Sequence, residues 1–549
     1  MKIEILGKKI DLDKPKKVFE LFDDPDKKYI CCLVNNKLKD LSFEVTNDSK
    51  IELLDITSLD GVNTYQATLR YIIAMAVKNV YPKAKISFNY SISRSIFASV
   101  SGLGKAFSAE NLSVIKNEVD RIIEMDYPII YKKVSKEETI KYFKSIGYKD
   151  KVASIKYRVP DWCHMYECDG YMDYLYTYLT RSTGYIKSYE LKLYSPGFLI
   201  KYPRRELAGN MPEFNDERVF RDALKEANLW AHNAKCEAVY QVNEIIESKK
   251  ALELINMCET RHNNQLTHLG DKIVENIYNI KLICVAGPSS SGKTTFTNRL
   301  IIELKTRGFD PFMISLDDYY KCKLEEYAID EEGNPDFESI ESLDLDLFDK
   351  TIFDLIQGVE TQIPKFNFKT RERTFSKPKK LSANQPIIIE GIHGLNKLIA
   401  PSIPDENKFK IYIAPIAQNR IDAHTPISIS DIRLLRRIVR DNVTRNIKPI
   451  QTIKQWSQVR QGEFKWIYPH QNNADFVFNS ELSYEICILK KYALPLLEEI
   501  STESECFSTA RRLIKFLKFY KEISDKWVPC NSILREFIGE SIFYTDDIE

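Results

Sequence analysis

The stretch "KLICVAGPSSSGKTTFTNRL", residues 281–300, decides the fold of the C-terminal half of this chain. Gly287, four intervening residues, and then Gly292, Lys293 and Thr294 form the G-x-x-x-x-G-K-[ST] pattern of a phosphate-binding loop. Glycines in such a loop let backbone N–H groups converge on an anion, and the lysine neutralises the β- and γ-phosphate oxygens. The alternative is a flexible Ser/Gly loop that holds no ligand.

The sequence around this loop predicts a strand before it and a helix after it. Residues 282–286 are a short apolar run of the buried-strand kind, and residues 294–307 place apolar side chains at helical spacing before Gly308. A helix that starts at the loop adds the positive end of its dipole to the anion site. The predicted phosphate-binding residues are Gly287, Ser289, Ser290, Ser291, Gly292, Lys293, Thr294 and Thr295.

Two carboxylates end two further predicted strands. Asp317 follows the strand of residues 311–316, and Glu390 ends the apolar run "QPIIIE". We expect both in the crevice at the carboxyl ends of parallel strands, where ligands of such sheets bind. Asp317 could there accept a proton from an attacking hydroxyl, while Glu390 and the Thr294 hydroxyl are suited to hold Mg²⁺. The alternative for Asp317 is an acidic turn before the charged run that follows it.

An arginine-rich helix is predicted at "SDIRLLRRIVRDNVTRN", residues 430–446. At 100° per residue Arg433, Arg437 and Arg440 form one stripe, with Arg436 beside it. Behind a phosphate-binding loop we expect such a helix to act as a lid that clamps the transferring phosphoryl group. The alternative is an ordinary solvated face of charged residues.

Length and composition limit the class of protein. The chain has 549 residues, 44% hydrophobic and 29% charged, which suggests a folded protein of two to four domains. The formal net charge is +1, so no global basic field would recruit nucleic acid or anionic lipid. The eleven cysteines are scattered without the repeated pair spacing of a metal site, which favours reduced thiols.

The N-terminus does not have the pattern of a targeting segment. "MKIEILGKKIDLDKPKK" carries charges every few residues and lacks an apolar core region. No uninterrupted apolar stretch of about 18 residues occurs anywhere in the chain. The sequence therefore predicts a cytoplasmic protein without a membrane partner.

Six motifs over residues 275–490 resemble the uridine kinase and phosphoribulokinase family of P-loop kinases, and within it the nucleoside kinases. They are "GPSSSGKTT", "SLDDYY", "DFESIESLDLDLF", "IPKFNFKTRER", "IIIEGIHGL" and "DIRLLRRIVRDNVTRN", in the family's order. The resemblance implies transfer of the γ-phosphate of an NTP, ATP or GTP with Mg²⁺, to the 5′-hydroxyl of a nucleoside. It makes Asp317 the base rather than Asp318. The implied catalytic residues are Asp317, Lys293, Arg437, Arg440 and Arg445.

The same resemblance implies a nucleoside site and shows where this chain departs from the family. Tyr320 falls near the nucleoside, and Glu338 falls where the family holds the ribose hydroxyls with an Asp. Phe366 and Arg371 replace a Tyr and a His that contact the pyrimidine in animal-type uridine-cytidine kinases. Phe366 keeps a stacking face without the hydroxyl, and Arg371 presents a permanent fork of donors. Uridine or cytidine, in pyrimidine salvage, is the leading acceptor, and the base is left open.

The N-terminal half resembles two modules of threonyl-tRNA synthetases. Residues 1 to about 60 alternate in short strands around a helix signal, which resembles the β-grasp (TGS) domain, and the next segment resembles the editing domain. The editing histidines fall at Ala67, Tyr71 and Met172, and the first histidine of the chain is His164. Without imidazole at these positions, editing chemistry is expected to be lost.

These features predict a multidomain α+β and α/β protein whose kinase part contains a parallel sheet. The predicted domains are a β-grasp domain at 1–62, an editing-like α+β domain at 63–205, a helical connector at 206–274, a P-loop nucleoside kinase at 275–490 and a C-terminal helical extension at 491–549.

Three functions follow from the sequence. The leading one is a nucleoside kinase whose partners are a nucleoside and an NTP. The second is a regulatory NTPase whose synthetase-like half grips RNA or a nucleotide, and which would not need a base at Asp317. The third is a phosphoribulokinase-like enzyme with a basic pocket near Arg371 and Arg373 for a sugar phosphate. A nucleic-acid partner is not expected despite the editing-like module, and homo-oligomerisation is left open.

Overall fold

The computed structural model describes residues 1–330, 333–368, 370–382, 385–416 and 419–544. A five-stranded parallel sheet lies in the C-terminal half, and mixed and antiparallel sheets lie in the N-terminal half. The predicted fold class, a multidomain protein with a P-loop kinase sheet, is thereby confirmed. Within the described residues, no helix is both long and apolar enough to cross a lipid bilayer.

The first sheet has the order β2-β1-β7-β4-β5, in which β1 and β7 run parallel. Its strands, with the separate pair β3 and β6, are β1 Lys2–Ile5, β2 Lys8–Asp11, β3 Lys16–Lys17, β4 Cys31–Val34, β5 Lys37–Lys39, β6 Glu44–Val45 and β7 Ser49–Leu54. The helix signal expected here is wrong, since only one 3₁₀ turn, Val18–Glu20, forms. Lys16 and Lys17, just before this turn, pair with β6 as strand β3, so they cannot begin a helix, and Val18 is buried in the core.

The second part of the N-terminal half combines helices with two antiparallel sheets, β13-β14-β9-β8 and β10-β11-β12. The Ser58 hydroxyl caps the long first helix, which is buried along most of its length. The elements are α1 Leu59–Val80, β8 Lys85–Ile92, β9 Ser95–Ser101, α2 Ala109–Glu124, β10 Ile130–Ser135, α3 Lys136–Ser145, α4 Lys149–Lys156, β11 Trp162–Cys168, β12 Tyr171–Tyr174, β13 Glu190–Tyr194 and β14 Gly197–Lys201.

Three helices connect the two halves. They are α5 Arg218–Asn233, α6 Val239–Glu247 and α7 Ala251–Glu275. Leu254 and Leu269 of α7 share one hydrophobic core with Ile283 and Phe296 of the kinase half. The connecting segment is therefore helical, as its periodicity predicts, and packs against the kinase half.

The kinase half is built on the parallel sheet β16-β19-β15-β20-β23. Every residue of its central strand β15 is buried, as expected for a parallel strand covered on both faces. The elements are β15 Leu282–Ala286, α8 Lys293–Lys305, β16 Phe312–Ser315, α9 Leu345–Ile356, β17 Pro364–Asn367, β18 Glu372–Phe375, β19 Ile387–Glu390, β20 Lys408–Ala414, β21 Arg420–Asp422, β22 Thr425–Pro426, α10 Ile429–Arg445, α11 Pro449–Gly462 and β23 Phe476–Asn479.

Three further helices complete the chain: α12 Glu485–Glu498, α13 Phe507–Leu517 and α14 Arg535–Ile538. The short helix α14 packs against α10, next to the phosphate-binding loop. The C-terminal segment thus returns to the site that the sequence singles out.

The two halves meet through hydrogen bonds and a buried charge cluster. The Phe88 N–H of β8 donates to the Ala423 carbonyl at 2.8 Å, which joins β8 to the β21–β22 turn. Lys151 of α4, fully buried, lies 2.8 Å from Asp173 and 3.6 Å from Asp422. Although burial lowers the pKa of Lys151, these two carboxylates outweigh it and raise the pKa above its usual value. Because one carboxylate comes from each half, the lysine ties the halves together.

Candidate active site

Residues 287–292 form a tight turn between β15 and α8 that requires glycine at both ends. A Cβ atom on Gly287 would lie 2.0 Å from the Ile413 carbonyl oxygen. Gly292 adopts a φ of +90°, and a Cβ there would lie 2.4 Å from Cγ2 of Ile533. Neither glycine can therefore be replaced by a larger residue without moving its neighbours. The backbone N–H groups of the turn lie at the N-terminus of α8, where an anion is favoured.

Lysine, threonine and glutamate side chains converge beside this turn. Lys293 Nζ donates to the Gly287 carbonyl at 3.1 Å, and Thr294 Oγ1 donates to Glu390 Oε2 at 3.1 Å. Burial raises the pKa of Glu390 to about 7, Lys293 opposes the rise, and Asp317 adds to it. A hydroxyl and a carboxylate oxygen side by side at a phosphate-binding loop are oxygen ligands of the kind that Mg²⁺ prefers, so these residues fit that ion.

The two neighbouring aspartates of the "SLDDYY" segment have different surroundings. The Asp318 carboxylate accepts the Phe366 N–H at 3.1 Å and pairs with Lys365 at 3.2 Å, so it anchors the hairpin β17–β18. The Asp317 carboxylate lies at the sheet edge and is open to solvent. Desolvation by the surrounding protein still raises the pKa of Asp317, while Lys293 opposes the rise and Asp318 adds to it. Of the two aspartates, Asp318 is thus engaged in the hairpin, whereas the charge of Asp317 interacts with that of Lys293.

An aromatic cluster surrounds Tyr320 next to Asp317. The Tyr320 hydroxyl donates to the Phe337 carbonyl at 2.6 Å, and its ring packs against Phe366 and Phe368 at 6.0 and 5.6 Å. The structure therefore brings Tyr320 and Phe366 together, as expected for two residues of one binding site.

Glu338 lies close enough to Lys293 and Arg437 for their charges to act on its carboxylate. Its Oε2 is buried without a hydrogen-bond partner among the described residues. Burial raises the pKa of Glu338 to about 7, Glu463 adds to the rise, and Arg437 and Lys293 oppose it. A buried carboxylate oxygen without a donor is the group that a ligand hydroxyl would satisfy.

The hairpin β17–β18 carries the two arginines considered for a sugar phosphate. Arg371 is exposed in its turn, with a φ of +60°. Arg373 pairs with Asp344 at 2.9 Å and donates to the Tyr320 carbonyl at 2.8 Å. Arg373 therefore holds the Tyr320 backbone in place, and Arg371 is the one that stays open to solvent.

The arginine-rich helix α10 divides its side chains between two tasks. Arg433 and Arg436 are fully buried behind the phosphate-binding loop. Arg433 pairs with Glu463 and donates from Nε to the Ser289 carbonyl at 2.9 Å. Arg436 pairs with Glu485 at 2.5 Å and donates to the Ser290 and Ser291 carbonyls at 3.4 Å. These two arginines support the loop from outside instead of facing its ligand.

The predicted lid arginines gather around one aspartate. Asp441 is buried and lies 3.3 Å from Arg437, 2.9 Å from Arg440 and 3.5 Å from Arg445. Arg437 also donates to the Ser289 hydroxyl at 3.1 Å. Three positively charged guanidiniums thus share the single negative charge of Asp441 next to the phosphate-binding loop.

Sequence reasoning missed a carboxylate from the far end of the chain. Glu536 Oε2 accepts the Thr295 N–H at 3.1 Å, so it occupies one backbone donor of the predicted phosphate cradle. Its neighbour Ile533 packs against Gly292. Nothing in the local sequence around Glu536 connects it with a loop some 240 residues earlier.

A second missed residue is His393, which follows Glu390 after two residues. Its ring is buried, and burial lowers the pKa of His393 to about 3, which a hydrogen bond with the Glu338 backbone opposes. Its ring meets Trp466 edge-on at 6.4 Å, and the Trp466 Nε1 is buried without a partner among the described residues. No catalytic spacing in the sequence singles out this histidine.

The editing-like positions lack the histidines of an editing site: Ala67 lines a cavity, and Tyr71 is packed among other side chains. Ala67 and Tyr71 of α1 are buried, and the Tyr71 hydroxyl donates to the Tyr171 carbonyl at 3.0 Å. Cys168 is also buried, and burial raises its pKa to about 12. Tyr71 thus fills the space at one of the expected histidine positions with a hydrogen-bonded ring.

Comparison with known proteins agrees with both halves of this description. Residues 282–486 match the model of the phosphoribulokinase / uridine kinase family. The N-terminal region matches threonine–tRNA ligases: that of Syntrophomonas wolfei is 31% identical over 117 residues, 21% of this chain and 18% of that protein. That of Carboxydothermus hydrogenoformans is 25% identical over 215 residues, 36% of this chain and 34% of that protein. The chain therefore spans about a fifth to a third of the length of these relatives.

A protein described as a possible uridine kinase from Bacillus stearothermophilus is 18% identical and is covered over 98% of its length by 40% of this chain, with a TM-score of 0.28. Residues 282–486 are therefore similar to the phosphoribulokinase / uridine kinase family, and the N-terminal region is similar to threonine–tRNA ligases. Both resemblances expected from the motifs are confirmed.

Proposed function

We propose that the protein is an NTP-dependent nucleoside kinase that transfers the γ-phosphate of ATP or GTP to the 5′-hydroxyl of a nucleoside, with uridine or cytidine as the leading acceptor. The observation that carries the proposal is the separation of the two aspartates. Asp318 is committed to the hairpin, and Asp317 lies free beside Lys293 and Glu390. A site that only hydrolyses NTP has no need for a carboxylate placed for an acceptor hydroxyl.

The donor phosphates would lie against the N–H groups of the loop at the start of α8. Lys293 would leave the Gly287 carbonyl, which it contacts at 3.1 Å, and turn to the β- and γ-phosphate oxygens. Mg²⁺ held by Thr294 and Glu390 would supply charge neutralisation on these oxygens. Arg437, Arg440 and Arg445 would stabilise the charge that develops on the transferring group.

The acceptor would lie between the aromatic cluster of Tyr320 and Phe366 and the unpaired carboxylate of Glu338. Its hydroxyls satisfy Glu338, and its base stacks on the aromatic side. Asp317 would accept the proton of the attacking hydroxyl as the new oxygen–phosphorus bond forms, while the bond between the γ-phosphorus and the bridging oxygen breaks and the nucleoside diphosphate leaves. The exposed Arg371 would select the base.

The rest of the chain fits this proposal. We propose the boundaries 1–62, 63–205, 206–274, 275–490 and 491–549 for its parts, and a cytoplasmic location. The N-terminal half would act as a binding or scaffolding module without editing activity, because Tyr71 stands at a position that editing chemistry needs for histidine.

The test is transfer of label from [γ-³²P]ATP and [γ-³²P]GTP to uridine, cytidine, adenosine, guanosine and ribulose 5-phosphate, with Mg²⁺ present. We expect labelled nucleoside monophosphate, with a pyrimidine nucleoside preferred. Label found only in inorganic phosphate would support the regulatory NTPase instead. Label found only in a sugar bisphosphate would support the phosphoribulokinase-like alternative.

A further inference from the structure

A cavity of about 1000 Å³ lies between the two halves, apart from the crevice of Asp317. Helix α1, the β8–β9 turn and the segment after β14 form one wall, and α10, α11 and the segment after α11 form the other. Its volume is at the upper end of the range for small-molecule sites, roughly 300–1000 Å³. Nothing in the proposed kinase reaction uses it.

The cavity is rich in positive charge. Eight cationic side chains and four carboxylates line it. Three of the carboxylates already have partners among these cations: Glu206 with Arg204 at 3.0 Å, Asp431 with Arg512, and Glu505 with Lys454 at 2.5 Å. The fourth, Glu217, accepts the Ser93 N–H, and burial raises its pKa.

Three cavity arginines from the N-terminal half form no ion pair within the described part of the chain. Arg70 is buried and donates to the His424 carbonyl at 2.7 Å, Arg205 donates to Ser457 Oγ at 2.7 Å, and Arg94 contacts the Phe464 ring at 4.9 Å. Burial lowers the pKa of Arg70 to about 10 and also lowers the pKa of Arg205, which Glu206 opposes. Arg70 is buried, Arg94 and Arg205 are half-buried at the cavity wall, and such partly desolvated cations without an ion-pair partner favour an anion.

Aromatic rings lie beside these cations. Phe464 is contacted by Arg94 and also by Arg460 at 4.6 Å, while Trp456 and Tyr90 lie in the opposite walls. The Thr425 hydroxyl, which also lines the cavity, is buried without a partner among the described residues. Guanidiniums suit phosphate, aromatic faces suit a base, and an unpaired hydroxyl suits a polar group of the same ligand.

We propose that this cavity is a second ligand site, which binds a free nucleoside phosphate between the N-terminal half and the kinase half through Arg94 and Arg205. A mononucleotide matches the cavity in size, in charge and in having one planar apolar ring. The cavity is connected to the phosphate-binding loop through a chain of side chains. Arg460 in the cavity wall pairs with Glu463, Glu463 pairs with Arg433, and Arg433 donates to the Ser289 carbonyl of the loop. An occupant that engages Arg460 therefore lies two side chains away from the loop.

The test measures binding of AMP and of UMP to the full-length protein by isothermal titration calorimetry in the Lys293→Ala background, which impairs the phosphate-binding loop. Saturable binding is expected to persist there and to weaken about tenfold or more when Arg94→Gln and Arg205→Gln are added, because each removes a charge-assisted contact. Arg181→Gln is the matched control, since Arg181 also lies over an aromatic ring, Phe19, but outside the cavity.

Two results would overturn the proposal. One is AMP and UMP binding that is unaffected by the Arg94 and Arg205 changes, and the other is binding of a short single-stranded RNA without binding of either mononucleotide. Thermal melting of each variant checks that the fold is kept. Phosphoryl transfer by the Arg94→Gln, Arg205→Gln protein with Lys293 intact is measured separately, so failure of the kinase proposal is distinguishable from failure of this one.

Discussion

Replacing Asp317 with Asn tests the assigned base, because the change keeps the shape of the side chain and removes its ability to take a proton. A positioned general base contributes about 10²–10⁴ in rate, so kcat should fall by that factor, equivalent to about 2.7–5.5 kcal/mol in the barrier. The Asp317 charge also faces Lys293 and Arg445. Removing it leaves more positive potential for the triphosphate, so KM for ATP should stay unchanged or fall.

The assay is initial-rate phosphoryl transfer from ATP to uridine with a pH series for each protein. Because the pKa of Asp317 is raised, wild-type kcat/KM should rise as pH increases through that pKa, and the Asn variant should lose this rise. Asp318→Asn is the matched control. Its amide oxygen can still accept the Phe366 N–H, so we expect a kcat within about threefold of wild type. Because the ion pair with Lys365 is lost, we expect a higher KM for uridine. The reasoning is refuted if Asp317→Asn keeps more than a tenth of the activity, or if both variants lose activity equally.

Three further changes probe the metal ligand, the C-terminal carboxylate and the support of the loop. Since the pKa of Glu390 is about 7, protons compete with Mg²⁺ for this carboxylate below pH 7. The apparent Mg²⁺ affinity of the wild type should therefore weaken by up to about tenfold for each pH unit below 7, whereas that of Glu390→Gln should not change with pH. The same pH dependence in both proteins would contradict this. Glu536→Ala should tighten ATP binding about three- to tenfold by calorimetry, because removing the side chain frees the Thr295 N–H. Unchanged affinity would argue against competition. Arg436→Met should lower the free energy of unfolding in urea by about 3–5 kcal/mol, since it leaves Glu485 buried without its partner, and a loss under 1 kcal/mol would contradict that role.

The stability of the ligand-free protein should also depend on these carboxylates. The folded pKa of Glu390 and of Glu338 is raised above the value of about 4.3 expected in the unfolded chain, so the folded state binds more protons between these values. Their contribution to stability is present below about pH 4 and is lost as pH rises through 7. A melting series in which Glu338→Gln removes part of this slope would support the assignment, and an unchanged slope would contradict it.

The kinase sheet could be predicted because its signals are local. The strand predicted at residues 282–286 is observed as Leu282–Ala286, and the helix predicted at 294–307 is observed as Lys293–Lys305. By contrast, the helix signal near Val18 failed, because the preceding lysines pair with Glu44–Val45, which lies far away in sequence. Tertiary pairing overrides local propensity there.

The candidate site was predictable where one motif contains both the residue and its role, as for Gly287, Gly292 and Lys293. Helical spacing placed Arg433 on one stripe with Arg437, yet only the fold shows that Arg433 is buried against Glu463 and supports the loop from behind. Glu536 could not be found from spacing at all, since its contact with Thr295 depends on the path of the C-terminal segment.

The most direct measurement of the central claim is ³¹P NMR of the product that the wild-type protein forms from ATP, Mg²⁺ and uridine. We expect ADP and a phosphomonoester whose phosphorus is coupled to the two C5′ protons of uridine, and no such signal from 5′-deoxyuridine. Inorganic phosphate as the only new signal besides ADP, or a phosphorus coupled to the C2′ or C3′ proton, would contradict it.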